Sequence, residues 1–126
     1  MPFVTSADLT EDEAGRYMAV YHATVNALAN AVVHLDREAR TNPDPQARPG
    51  FRAAALDANR QFVLVQAEML AFLRGTSVLR PPSEDEVKKA QALVGDLGAL
   101  MAAGARAKAV LEFVVKAAKT FDELTQ

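Results

Sequence analysis

Apolar and polar positions along the chain repeat with the period of a helix in three successive blocks. In the first, Ala14, Met18, Tyr21, Val25, Leu28, Val32, Leu35 and Ala39 recur at three- and four-residue steps, the seam of a helix packed along its length. Within it, Tyr17 to Leu35 holds no Asp, Glu, Lys or Arg. The side opposite the seam reads Ala19, Val20, Ala23, Asn26, Ala27, Asn30, Val33 and His34. It is small and neutral where a solvent face carries Lys and Glu, so this helix needs cover on a second side. His22, Thr24, Asn26, Asn30 and His34 are costly in hydrocarbon, which argues against a membrane span.

The second block, Phe51 to Arg74, sets Ala55, Ala58, Phe62, Val65, Met69 and Phe72 on one stripe, with Leu56, Val63, Leu70 and Leu73 beside it. Two stripes predict a broadly buried helix. In the third, Leu93, Leu97, Leu100, Gly104, Ala107, Leu111, Val114, Ala118 and Phe121 keep one heptad phase.

Boundaries come from local chemistry. All six prolines, at 2, 43, 45, 49, 81 and 82, fall outside the periodic segments. Thr10-Glu11-Asp12-Glu13 and Ser83-Glu84-Asp85-Glu86 are capping boxes with acids on the positive end of the helix dipole. The stretch 41 to 50 is a polar, proline-rich loop, and Gly75 is placed to cap the second helix. The expected fold is therefore all-α, a single domain over 1–126 built as an antiparallel four-helix bundle, with helices at about 11–40, 51–74, 84–102 and 105–124. Four rods of roughly 28 Å and a weak midpoint at Gly95, Gly98 and Gly104 favour a turn near Ala103 to Ala105. The alternative is three helices with one long C-terminal helix, 84–124, since the heptad phase is unbroken and no Ser, Thr, Asp or Asn stands ready to cap a fourth.

Composition narrows the function classes. A net charge of −2 argues against non-specific nucleic-acid binding. With no cysteine, disulfides, thiolate chemistry and Cys-based zinc sites are excluded. The first residues lack a basic start and an apolar core, so no signal peptide is expected and cytoplasm is the expected location. No cofactor is implied. His34 and Glu38 lie one turn apart, but both histidines belong to the first helix, so a metal would lack ligands from elsewhere. Met18 and His22, also one turn apart, are the spacing of any packed helix. Carboxylates within the helices, Asp57, Glu68, Asp96 and Glu112, occur singly, so no catalytic residue is assigned and a non-enzymatic role is expected.

Three function classes follow. The first is protein–protein interaction, above all a two-fold homodimer joined through helix 1 at Ala19, Ala23, Asn26, Ala27, Asn30 and Val33. The second is small-molecule or anion binding. Its candidate sites are the end of the bundle that collects Arg37, Arg40, Arg48, Arg52, Arg106 and Lys108, and a polar pocket at His22, Asn26 and Asn30. Arg52, Arg106 and Lys108 there oppose the helix dipole, while surface pairing with Asp36, Glu38, Asp44 and Asp57 is the structural alternative. The third rests on Arg16 and His22, whose spacing falls within the Arg-to-His window of a class of helical-bundle ribonucleases. The chain resembles those enzymes in size and class. They carry the pair in a late helix with a polar residue after the Arg, whereas here it lies in helix 1 and Tyr17 follows.

Overall fold

The computed structural model describes residues 4–123. Four helices form the bundle: α1 (Glu11–Thr41), α2 (Arg48–Leu73), α3 (Glu84–Ala102) and α4 (Ala107–Asp122). Both acidic starts fold as capping boxes. The Thr10 and Ser83 hydroxyls accept from the Glu13 and Glu86 amides, and each Glu carboxylate accepts from the amide of its cap residue. Two donors of each first turn are thus satisfied from within the segment.

The predicted turn at Ala103 to Ala105 is present, and the single long helix 84–124 is ruled out. Gly104 takes φ 74°, its amide bonding the Met101 carbonyl and that of Ala105 bonding Leu100. This is a Schellman motif, which ends a helix with a left-handed residue that only glycine adopts cheaply. Gly75 repeats it after α2 at φ 72°, with Thr76 bonding the Ala71 carbonyl. The α2 helix begins three residues ahead of the expected Phe51 because Pro49 sits in its first turn, where a missing N–H costs nothing. Leu124, the expected last residue of α4, lies outside the described residues.

Helices adjacent in sequence across the two short turns, α1 with α2 and α3 with α4, pack against each other, and α4 also packs on α2 and α1. α3 lies beside α1, with the starts of both helices facing across one groove, so these two run in the same direction. The chain crosses from α2 to α3 over one end of the bundle. There the strands β1 (Val4–Thr5) and β2 (Val78–Leu79) pair antiparallel, Val4 opposite Leu79 and Thr5 opposite Val78. This small ribbon has no counterpart in the apolar periodicity.

α1 is the hub. Tyr17, Val20, Ala23, Thr24, Ala27, Leu28, Ala31, Leu35 and Ala39 are all buried, on a little under half of its circumference. The centre of its buried face therefore departs from the sequence seam, of which Met18, Tyr21 and Val32 are only partly buried. α2, α3 and α4 all pack on α1 and cover most of its uncharged run, of which His22, Asn26, Asn30 and Val33 stay exposed. Tyr17 is the keystone: its ring stacks on Phe72 of α2 at 4.1 Å between centroids and tilts against Phe121 of α4 at 5.6 Å. Aromatic pairs of this geometry add to the burial of their area.

Candidate functional site

Most of the exposed large apolar side chains among the described residues lie on the outer side of α2. Ala54, Ala58, Val65 and Met69 face the core, while Leu56, Val63, Leu64, Leu70 and Leu73 are 68%, 53%, 55%, 54% and 68% exposed. This corrects the expectation that both stripes of this helix are buried: among the described residues α2 packs mainly on α1 and α4, with the 3-10 turn Ser6–Asp8 touching it as well, and its outer stripe stays exposed. Leu56, Val63 and Leu70 stand seven residues apart, almost two helical turns each, so they form one line over about 21 Å. From Gln61 to Leu73 the segment carries a single charge, Glu68. Arg60 interrupts the line and sits 3.8 Å from Asp57 on the same helix. Scattered single apolar residues on a surface need no explanation, but a contiguous row of them does.

The candidate face on α1 is divided by the fold. Ala23 and Ala27 are buried within the chain and Ala19 is partly covered, so little of these three is left free. α3 provides part of that cover, Gln91 and Val94 lying across the groove from Ala19, Ala23 and Asn26. Asn26, Asn30 and Val33 remain exposed as a narrow line between α2 and α3. Val33 borders Leu56 in the groove between α1 and α2 and extends the apolar surface of α2 at that end. Of the polar trio, His22 and Asn26 line the shallow α1–α3 groove with Gln91, and Asn30 does not. His22 is exposed and His34 partly buried.

The arginines do not converge on one site. Arg37, Arg40 and Arg52 line an open groove of about 490 Å³ between α1 and α2, over Val32, Val33, Ala55 and Leu56. Arg40 is 3.2 Å from Asp36 on its own helix. Arg48 is spent on the first loop, its Nε donating to the Asn42 carbonyl at 2.8 Å. Arg106 and Lys108 sit apart, beside Asn42 and Asp44 where the α3–α4 turn meets the first loop. α2 and α4 both start there without a side-chain cap or an acid in the first turn.

Two polar groups singled out by sequence have structural partners. Arg16 Nε donates to the Pro82 carbonyl at 2.7 Å, tying α1 to the segment that leads into α3. That occupies the arginine on which the ribonuclease resemblance depends. Arg80, at the end of the same segment, grips Glu86 through two bonds of 2.7 and 2.6 Å. The pair holds the Glu86 carboxyl down to about 2, chiefly through that hydrogen bond to Arg80. Tyr17 stands differently: its hydroxyl is buried with no hydrogen-bond partner among the described residues, and burial, aided by Glu68, raises its pKa.

Among the described residues no three His, Asp or Glu side chains gather as metal ligands. No described helix is long and apolar enough to cross a membrane. Comparison with protein-family models, curated proteins and solved structures yields no match in any of the three.

Proposed function

We propose that this chain works by protein–protein contact, without catalysis, through the outer side of α2. The observation that carries the reading is the row Leu56, Val63 and Leu70, with Leu64 and Leu73, left open on a helix whose other side is well packed. Leaving five large apolar side chains half exposed forgoes stabilisation that Lys or Glu at the same positions would not cost, so the row is better suited to a partner than to water. The reading moves the contact from α1, where sequence alone put it, to the neighbouring helix, and keeps Val33 at its margin. A cytoplasmic location and the absence of a cofactor belong to the same proposal.

The test is Val63→Glu combined with Leu70→Lys, compared with the native chain by circular dichroism and light scattering. Both positions face outward, where substitutions move stability by only about 0.5 kcal/mol. The variant should keep its helix content and melting point and lose association. A variant that melts instead would make the outer side of α2 part of the core and end the reading.

Anion binding is a second reading, favoured by the groove that holds Arg37, Arg40 and Arg52 over an apolar floor. Phosphate or citrate should then raise the melting temperature by mass action, and Arg52→Ala should remove the effect. No shift with either anion would discard it.

A further inference from the structure

Resting on the second reading, anion binding between α1 and α2, we infer that the ligand of that groove is an organic acid with an aliphatic body. Its carboxylate sits between Arg37 and Arg52, and its chain lies over Val33 and Leu56. The two walls of the groove change character together. α1 and α2 pack against each other across the short first loop, so leaving the loop means moving back along α1 and forward along α2. One turn further from the loop, Arg37 gives way to Val33 on one wall and Arg52 to Leu56 on the other, a step of about 6 Å. Val32 and Ala55 complete the apolar part, and Asn59 lies beyond them. The groove is cationic at its loop end and apolar from there on.

The cations at the loop end are not balanced from within the chain. Three arginines line the groove against the single carboxylate of Asp36, which lies 3.2 Å from Arg40. Among the described residues neither Arg37 nor Arg52 takes part in an ion pair. The dipole of α1 favours Arg37 at its end, but Arg52 stands near the positive start of α2, which has no acid in its first turn. An anion between the two walls relieves that repulsion, and guanidinium N–H groups match the two oxygens of a carboxylate.

The apolar part decides the class of anion. An inorganic ion would use the arginines alone and leave Val33 and Leu56 in water, where they are 57% and 68% exposed. An aliphatic chain behind the carboxylate covers both and buries its own methylenes as well.

Amide NMR titrations of the full chain at constant ionic strength test this, with acetate, butanoate and hexanoate as probes and hexan-1-ol as the uncharged control. Saturable shifts should centre on residues 32–40 and 52–59. Affinity should rise about twofold per added methylene, the gain expected when each is half buried in an open groove. Hexan-1-ol should bind far more weakly than hexanoate. Arg52→Gln and Arg37→Gln should each weaken every acid by about tenfold, and Leu56→Ala should leave acetate unchanged and flatten the rise with chain length. Groove shifts with inorganic phosphate but not with hexanoate, or equal affinity for acetate and hexanoate, would overturn the organic acid and leave the anion reading standing. Hexan-1-ol binding as well as hexanoate, or shifts centred on Leu64 to Leu73, would overturn it too, because the chain would then be seeking exposed apolar surface alone. Full affinity in both arginine variants would overturn the placement of the carboxylate. No groove shift with any acid or with phosphate would remove this inference and the anion reading together.

Discussion

Replacing Tyr17 by Phe isolates a polar group that the core buries without a partner among the described residues. The ring is fully buried, stacked at 4.1 Å on Phe72, and its hydroxyl has no hydrogen-bond partner among the described residues. Removing the oxygen leaves the stacking and the apolar area in place. It takes away a desolvated hydroxyl whose burial costs about 1–3 kcal/mol, and it opens a space smaller than a methyl group. Weighing the two, Tyr17→Phe should stabilise the protein by about 1 kcal/mol, which in a domain of this size raises the melting temperature by about 3–5 °C. Urea denaturation at neutral pH with linear extrapolation measures it, and an unchanged m-value would show that compactness is preserved. Tyr17→Ala is the contrast: it removes the ring that joins α1 to α2 and α4, and should cost about 3–5 kcal/mol. Loss of 1 kcal/mol or more in Tyr17→Phe would refute the reasoning, because it would mean that the hydroxyl holds a bond worth more than its desolvation.

Two further predictions concern the ends of the bundle. The Glu86 carboxyl is held at about 2 against an ordinary 4.5. Its folded value is the depressed one, so its stabilisation is complete above about pH 4.5 and is lost as pH falls toward 2. Glu86→Gln keeps an acceptor for the capping box but breaks the pair with Arg80, so it should cost on the order of 2 kcal/mol at pH 7 and flatten the acid limb of a stability–pH curve. Equal slopes for the two proteins between pH 4.5 and 2 would show that other carboxylates govern acid unfolding. The glycines separate strain from crowding. Gly104→Ala meets nothing within 4 Å and should cost only the left-handed conformation, about 1 kcal/mol. At Gly75 a Cβ also lies 3.1 Å from that of Ala7 and should cost more. Equal losses in chemical denaturation would show that the short 3-10 turn Ser6–Asp8, which carries Ala7, simply moves aside.

The fold was legible in sequence where a local rule has a local cause. Thr10-x-x-Glu13 and Ser83-x-x-Glu86 start helices because each motif satisfies its own amides. Gly75 and Gly104 end them because a left-handed residue closes each Schellman motif. The paired strands escaped because two residues per strand leave no periodicity, and Leu79 is buried through its place in the chain rather than through a pattern. How much of each helix side stays free was not legible for a related reason. An uncharged helix side reports only that something covers it or should, and sequence cannot say which. On α1 the cover is the chain's own neighbouring helices, which bury Ala23 and Ala27. On α2 the spacing of Leu56, Val63 and Leu70 was visible, but its exposure depends on which side meets α1 and α4. The arginines were read as one cluster because they share an end of the bundle, yet a bundle end has several sides, and Arg106 lies away from the groove that holds Arg37 and Arg52.

Sedimentation equilibrium on three proteins tests the central claim, that the outer side of α2 is the working surface, most directly. The native chain should sediment at twice its monomer mass in the micromolar range. Val63→Glu should sediment as a folded monomer, and Asn30→Lys, altered on the exposed line of α1, should remain a dimer. A native chain that stays monomeric, or an Asn30→Lys variant that dissociates while Val63→Glu does not, would contradict the account.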